Sequence, residues 1–258
     1  MNALSETHSL FSNFSRAHVE RLGAELAGGS PTEIVRELRA LGQPAAALFF
    51  LNAWLDESGS FDVLPAVRTA IDGRRLGSPR LVITHGLSGS GKTTLATALA
   101  GSLDAIVVRQ DTEAARIRRS NGGRPSEALP PGALASRLEA LASCTLRAGW
   151  AVIVESCFLR RRHRHAFQAL AADHRVPFTI VDCRAPLSLI MERLERRLAF
   201  GQLFGGTEGD LALVERKLQE QLENLEPLDG QEHRYAVQVD TDKEVDPEQL
   251  AARMQKEQ

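Results

Sequence analysis

The segment that most restricts this chain is Gly86, four residues, and then Gly91-Lys92-Thr93. A G-x-x-x-x-G-K-[ST] run forms a phosphate-cradling loop where a strand enters it and a helix leaves it. Both flanks are present: "RLVIT" (80–84) is a short β-branched run, and "TLATALAGSL" (94–103) is rich in helix formers. Glycines at 86, 89 and 91 let the backbone wrap so that its N–H groups point inward. The N-terminus of the following helix adds partial positive charge. The spacing predicts that Gly86, Ser88, Gly89, Ser90, Gly91, Lys92, Thr93 and Thr94 line a nucleotide triphosphate site. Lys92 would reach the β- and γ-phosphates of ATP, and the Thr93 hydroxyl would ligate Mg²⁺.

The rest of the chain supplies the sheet that such a loop needs. Four more apolar runs, "AIVV" (105–108), "WAVIV" (150–154), "FTIVDC" (178–183) and "YAVQV" (235–239), alternate with helical segments. In the clearest helix, Leu134, Leu138, Leu141 and Thr145 form one face behind Pro131. Five apolar strands alternating with helices predict an α/β fold: a doubly wound, five-stranded parallel sheet of the nucleotide-kinase-like P-loop NTPase type. Ligands bind at the carboxyl ends of such strands. The front of the chain has another texture, with Ile34, Leu38 and Leu41, then Leu48, Leu51 and Leu55, at helical spacing. The cluster "GRRLGSPR" (73–80) separates the two, so a helical segment is expected over 1–79 and the nucleotide domain over 80–258.

Composition excludes several classes. Hydrophobic content of 43% and charged content of 25% are ordinary for a globular protein. A formal net charge of −2 gives no overall field toward nucleic acid or membrane. No run approaches the roughly 18 apolar residues of a membrane span, and the N-terminus lacks the apolar stretch of a signal peptide. Cys144, Cys157 and Cys183 have no metal-ligand spacing and fit a reducing compartment, so a cytoplasmic location and no membrane partner are expected. Packing is the simplest role for Cys157, Cys183 and His85.

A triphosphate loop can serve a switch, a motor or a phosphoryl transfer. The Asn-Lys-x-Asp element of a guanine-reading switch is missing, and "AVIVES" ends in a lone Glu155 where a hydrolytic motor carries Asp-Glu. A kinase needs a carboxylate to take the acceptor's proton and arginines that close over the moving group. Asp111, just past the second strand, is a candidate base; it can also cap the next helix, and one residue can do both. Glu155 is the rival base, and with Arg109 it is a candidate acceptor contact. Arg193 and Arg197 lie four apart on a basic helix, ahead of Gly201, Gly205, Gly206 and Gly209, which suits a lid and its hinge. A solvated helix whose Glu192 and Glu195 balance the arginines fits equally well. "FLRRRHRH" (158–165) puts Arg160 and Arg164 near a helix start, where they oppose its dipole unless an anion sits there. A solvated surface is the alternative.

On these residues, Arg80 to about Gln258 resembles the P-loop kinase-like ATP-binding domain that bacteria fuse behind an aminoglycoside-phosphotransferase-like domain. That group is related to zeta toxins, polynucleotide 5′-kinases and small-molecule kinases. "LVITHGLSGSGKTT" resembles its first motif, "RQD" (109–111) its Arg-Ser-Asp, and "VIVESCFLRRRHR" its strand ending in Asp-Ala-Thr-Phe before basic residues. "RLERR" resembles its Arg-Leu-x-x-Arg, and "TEGDLALVERK" its Ser-Asp-Ala stretch. "LNAWLDESGSFDVLPAVRTA" (51–70) is similar to the last helices of the fused phosphotransferase-like domain. Residues 1–79 lack that domain's His-Gly-Asp element and so read as a remnant helical cap. The departures fall on the acceptor side: the family's basic pair is Ala114-Ala115, with Arg116 as a stand-in, and its strand-end Asp is Glu155. The resemblance implies an ATP-dependent phosphotransferase using Lys92, Asp111, Arg193 and Arg197 on a small polar metabolite, a sugar or nucleotide-sugar. A polynucleotide 5′-hydroxyl kinase gripping phosphates with "RRRHR", and a regulatory ATP-binding module, are the alternatives.

Overall fold

The computed structural model of the chain describes residues 30–71, 78–122, 128–199 and 211–256. Three helices come first: α1 (Pro31–Ala40), α2 (Pro44–Ser58) and α3 (Leu64–Ala70). Ser30 opens α1 with a capping box, in which its Oγ accepts from the Glu33 N–H and the Glu33 carboxylate accepts from the Ser30 N–H. Ile34, Val35 and Leu38 face the interior, but Leu41, expected on the same face, is 70% exposed. The helix stops at Ala40 and Gly42 turns the chain at a φ of 74°, so the apolar stripe no longer passes through Leu41.

The sheet comprises β1 (Leu81–His85), β2 (Ala105–Arg109), β3 (Ala151–Glu155), β4 (Phe178–Arg184) and β5 (Ala236–Asp240). Its order is β2-β3-β1-β4-β5, with every pair parallel. The helices α4 (Lys92–Leu103), α5 (Gln110–Ser120), α6 (Ala133–Arg147), α7 (Arg161–His174), α8 (Leu187–Ala199), α9 (Leu211–Glu223) and α10 (Pro247–Lys256) complete it. Arg80, Trp150 and Tyr235, read as strand starts from sequence, each lie one residue ahead of a ladder. Trp150 has another use: it is wholly buried, donates from Nε1 to the Leu64 carbonyl at 3.2 Å, and carries the Arg68 guanidinium 5.3 Å from its ring centroid.

Strand side chains alternate between two apolar layers. Val82, Val107, Ile153 and Val181 meet Leu95 and Leu99 of α4 and Leu250 and Met254 of α10. Ile83, Ile106, Val152 and Val154 join a second cluster with Leu138 of α6, Phe167 of α7, and Leu51, Leu55 and Leu64 of the first three helices. The doubly wound α/β class is therefore as expected, and the front helices share the sheet's core. In a third cluster Leu87 of the loop packs with Ile190 and Leu194 of α8 and Val214 and Leu218 of α9.

Strand β2 is an edge, and Asn52 of α2 covers it. The Val107 N–H donates to Asn52 Oδ1 at 2.8 Å, and Asn52 Nδ2 donates to the Ala105 carbonyl at 3.3 Å. One side-chain amide thus stands in for a neighbouring strand. Asn52→Ala leaves that N–H unpaired and is expected to cost about 1–3 kcal/mol. The check is a lower urea midpoint at unchanged slope.

Candidate active site

The loop lies between β1 and α4, at the carboxyl end of the central strand, and several of its groups are held by neighbouring segments. The Gly86 N–H donates to the Cys157 carbonyl at 3.1 Å. Thr241, just past β5, donates from Oγ1 to the Ser90 carbonyl at 2.8 Å, and Arg193 of α8 donates to the Gly89 carbonyl at 3.2 Å and to the Thr241 carbonyl at 2.7 Å. Gln221 of α9 grips Ser88 with both ends of its amide, accepting the Ser88 N–H at 2.8 Å and donating to Ser88 Oγ at 2.7 Å. Gly86 has a φ of 132°, and a Cβ there would lie 2.5 Å from the Cys183 carbonyl oxygen, so only glycine fits.

The inward side is different. Among the described residues, the N–H groups of Gly89 and Gly91 find no acceptor, and the buried Ser90 Oγ has no hydrogen-bond partner. Lys92 is buried and folds its Nζ back onto the Leu87 carbonyl at 2.7 Å. Inward donors beside a buried ammonium at a helix start are a donor set for polyphosphate. The Thr93 Oγ1 donates to Glu155 Oε1 at 3.2 Å. A hydroxyl and a carboxylate together are hard oxygen ligands of the kind Mg²⁺ takes. These residues fit a polyphosphate accompanied by a hard divalent cation. Thr94 follows in the first turn of α4.

Burial pushes the Glu155 carboxyl above the ordinary glutamate value; Lys92, Arg109 and the Thr93 bond oppose the rise, and the Asp111 charge adds to it. Asp111 itself stands exposed in the first turn of α5, whose N-cap is Arg109, so it is not the capping residue. Arg109 and Glu155 are register partners at the ends of β2 and β3. The Arg109 guanidinium donates from Nη2 to Thr97 Oγ1 at 2.9 Å and lies 3.5 Å from Asp56 of α2. Arg197, one turn beyond Arg193, is half-buried, and exposed Arg196 pairs with Glu192 at 2.6 Å. The hinge glycines Gly201, Gly205, Gly206 and Gly209 lie outside the described residues.

The basic run at the start of α7 is corrected by the structure. Arg164, nominated for an anionic ligand, is 0% exposed and grips Glu232 with two bonds of 2.7 and 2.8 Å, while also donating to the Phe158 and Leu159 carbonyls. Arg160 is exposed but paired with Glu226 at 3.3 Å and with Asn224, and Arg161 pairs with Asp229 at 3.3 Å. The Glu226 carboxylate also accepts the Arg161 N–H at 2.6 Å. The anion that relieves this helix start comes from the segment after α9, within the chain itself. Arg116 is likewise committed, to Glu113 and to the Leu55 and Asp56 carbonyls that end α2.

Cys183 is a packed thiol, pushed up to about 12 by burial, whereas Cys157 is half-buried with its sulfur 3.8 Å from Ser88 Oγ. His85 is buried and shares a 2.8 Å contact with Asp182 through Nδ1. Sequence reasoning missed Asp56, Gln221 and Thr241. Thr241 could have been found by taking the carboxyl end of every strand as site wall; Asp56 and Gln221 carry no local signal.

No helix among the described residues is long and apolar enough to cross a membrane. No curated protein matches the sequence. The solved structures that share the fold include two with TM-scores above 0.5. One is a Chloroflexus aurantiacus protein assigned as a kinase, 22% identical, with a TM-score of 0.51 over 70% of this chain and 99% of that one. The other is Chaetomium thermophilum Kti12 in complex with ADP-AlF3, 19% identical, with a TM-score of 0.53 over 68% and 97%. With the glycine loop at the head of a parallel 2-3-1-4-5 sheet, and a family model matching residues 81–228, the chain belongs to the AAA domain family (AAA_33) and has a P-loop kinase-like fold.

Proposed function

We propose that the protein is an ATP-dependent phosphotransferase that moves the γ-phosphoryl group of ATP to a hydroxyl of a small polar molecule. The observation that carries this reading is the difference in environment between two carboxylates. Glu155 is buried on the Thr93 hydroxyl, whereas Asp111 stands exposed in the first turn of α5, near enough for its charge to add to the rise of the Glu155 pKa. Different environments for neighbouring carboxylates suit different tasks.

Thr93 and Glu155 would hold Mg²⁺, which would offset the charge of the phosphate oxygens. This gives Glu155 a metal-holding role in place of the base or acceptor contact. The loop amides and Lys92 orient the triphosphate. Asp111 takes the proton of the acceptor hydroxyl as the new O–P bond forms; the bond from the γ-phosphorus to the bridging oxygen breaks, and its electron pair leaves with ADP. Arg193, anchored on Gly89 and Thr241, and Arg197 one turn away are assigned to the charge of the moving group.

The acid-paired arginines of α7 favour a small acceptor over a polynucleotide, because a phosphate backbone would have to displace Glu226 and Asp229. The cysteines among the described residues are all free thiols, which supports the cytoplasmic placement we propose. The test is incubation with ATP and Mg²⁺ over a metabolite and oligonucleotide panel, read by phosphorus NMR. A phosphorylated small molecule is expected, and label appearing only as inorganic phosphate would overturn the reading. Asp111→Asn should keep ATP affinity while turnover falls about 10²–10⁴-fold. A regulatory ATP-binding module would instead be indifferent to that substitution.

A further inference from the structure

Helix α2 runs along the outer edge of β2 and meets the β2–α5 unit at three levels. Asn52 bonds to the backbone of Ala105 and Val107. One turn further along the same face, Asp56 forms an ion pair of 3.5 Å with Arg109, the last residue of β2 and the N-cap of α5. At its C-terminal end α2 receives Arg116 of α5, which donates from Nη2 to the Leu55 and Asp56 carbonyls and from Nη1 to Glu113. Arg116 is 11% exposed and Glu113 is 2% exposed, and Arg137 of α6 completes the network with a 2.9 Å bond to the other Glu113 oxygen.

The third contact is shaped for a guanidinium. Carbonyls in the last turn of a helix need donors from outside it, and a cation there also meets the negative end of the dipole. The chain leaves α2 through Gly59 at a φ of 69°, and a Cβ on Gly59 would lie 3.1 Å from Arg116 Nε. The glycine thus makes the turn and leaves the room that Arg116 fills. A planar fork reaches a carboxylate and two carbonyls together, which a single ammonium does not match. What Arg116 holds is the start of α5, a helix with no side-chain cap of its own. Asp111, in the first turn, is exposed and makes no side-chain hydrogen bond among the described residues. Its place is therefore set by the helix that carries it.

We infer that Arg116 is a positioning residue of the site: it ties the start of α5, and Asp111 with it, to the end of α2, so the front helices set where the proton acceptor stands. All of α2 lies ahead of the 81–228 span of the family model, so half of this device comes from outside that span. The inference rests on the phosphotransferase reading, in which Asp111 is the base, and deepens it.

The experiment compares the full chain with Arg116→Ala and Arg116→Lys, alone and combined with Asp111→Asn. Turnover is measured with ATP, Mg²⁺ and the panel compound that the wild type phosphorylates. Arg116→Ala should lower kcat about 10²-fold, with affinity for a fluorescent ATP analogue unchanged, because Arg116 touches no residue of the loop. Arg116→Lys, which keeps a cation at the end of α2, should lie between. In the Asp111→Asn background the same changes should slow the protein no further, within about twofold, since Arg116 acts through Asp111. Independently of activity, hydrogen exchange reads the clamp itself. The amides of Ala114 and Ala115, which bond back to the first turn of α5, should exchange about tenfold faster in Arg116→Ala, with those of β1 and β3 unchanged. Melting curves establish which variants are folded, and either folded variant decides. An unchanged kcat, losses that multiply with Asp111→Asn, or unchanged exchange in a folded variant overturns the inference. Faster exchange, in a protein whose wild type phosphorylates no panel compound, would leave the clamp standing and remove the phosphotransferase reading instead.

Discussion

Replacing Arg164 with alanine is expected to destabilise the fold by about 3–5 kcal/mol, because Glu232 is left as an unpaired buried carboxylate. For a domain of this size that is roughly a 10 °C fall in melting temperature. The two groups are 0% and 1% exposed, and their two bonds tie α7 to the segment before β5. Replacing both, as Arg164→Met with Glu232→Leu, removes the charge problem together with the pair and should recover most of the loss. The pair also sets an acid dependence. Burial works to raise the Glu232 carboxyl, but the Arg164 bonds and the Asp229 N–H hold it below its ordinary value of 4.5. A carboxylate lowered on folding adds stability that is fully present above its unfolded pKa and is lost as pH falls through the folded one. Wild-type melting temperature should therefore drop on acidification below that ordinary value, and the double variant should lack this part of the drop. Equal acid sensitivity in the two proteins would show that the pair does not act this way.

Lys92→Ala carries the largest effect on activity. The Nζ is buried inside the loop on the Leu87 carbonyl, next to inward amides that already lack acceptors. Removing one positioned donor from a site where phosphoryl charge develops lowers turnover by about 10²–10³-fold. ATP affinity should fall as well, since on the proposed reading Lys92 would contact the triphosphate before any chemistry, in contrast to Asp111→Asn. Titration with a fluorescent ATP analogue separates the two variants. Unchanged affinity in a folded Lys92→Ala protein would mean that the triphosphate lies elsewhere.

Particular residues show how far the chain could be read before its structure. The sheet was legible because alternate strand positions bury two different layers, so Val82 and Ile83 are both apolar. The loop was legible because its geometry is local: glycines at positive φ, a strand before and a helix after. Leu41 was misplaced because spacing alone does not say where a helix stops. The arginines of α7 were misread for a different reason. Arg164 and Glu232 are 68 positions apart, and no local pattern says that a basic helix start will be answered by a downstream carboxylate.

What the sequence determined by itself was the nucleotide loop and the class of sheet that presents it, since both follow from backbone conformation and side-chain period over a few residues. What only the tertiary structure decided was which charges are spent on folding and which face the cleft. Arg164, Arg160 and Arg116 are consumed by partners inside the chain, whereas Glu155 reaches Thr93 and Arg109 meets Asp56 without a hydrogen bond. A side chain's charge is written in the sequence, but its availability depends on the partner that the topology brings within about 3 Å.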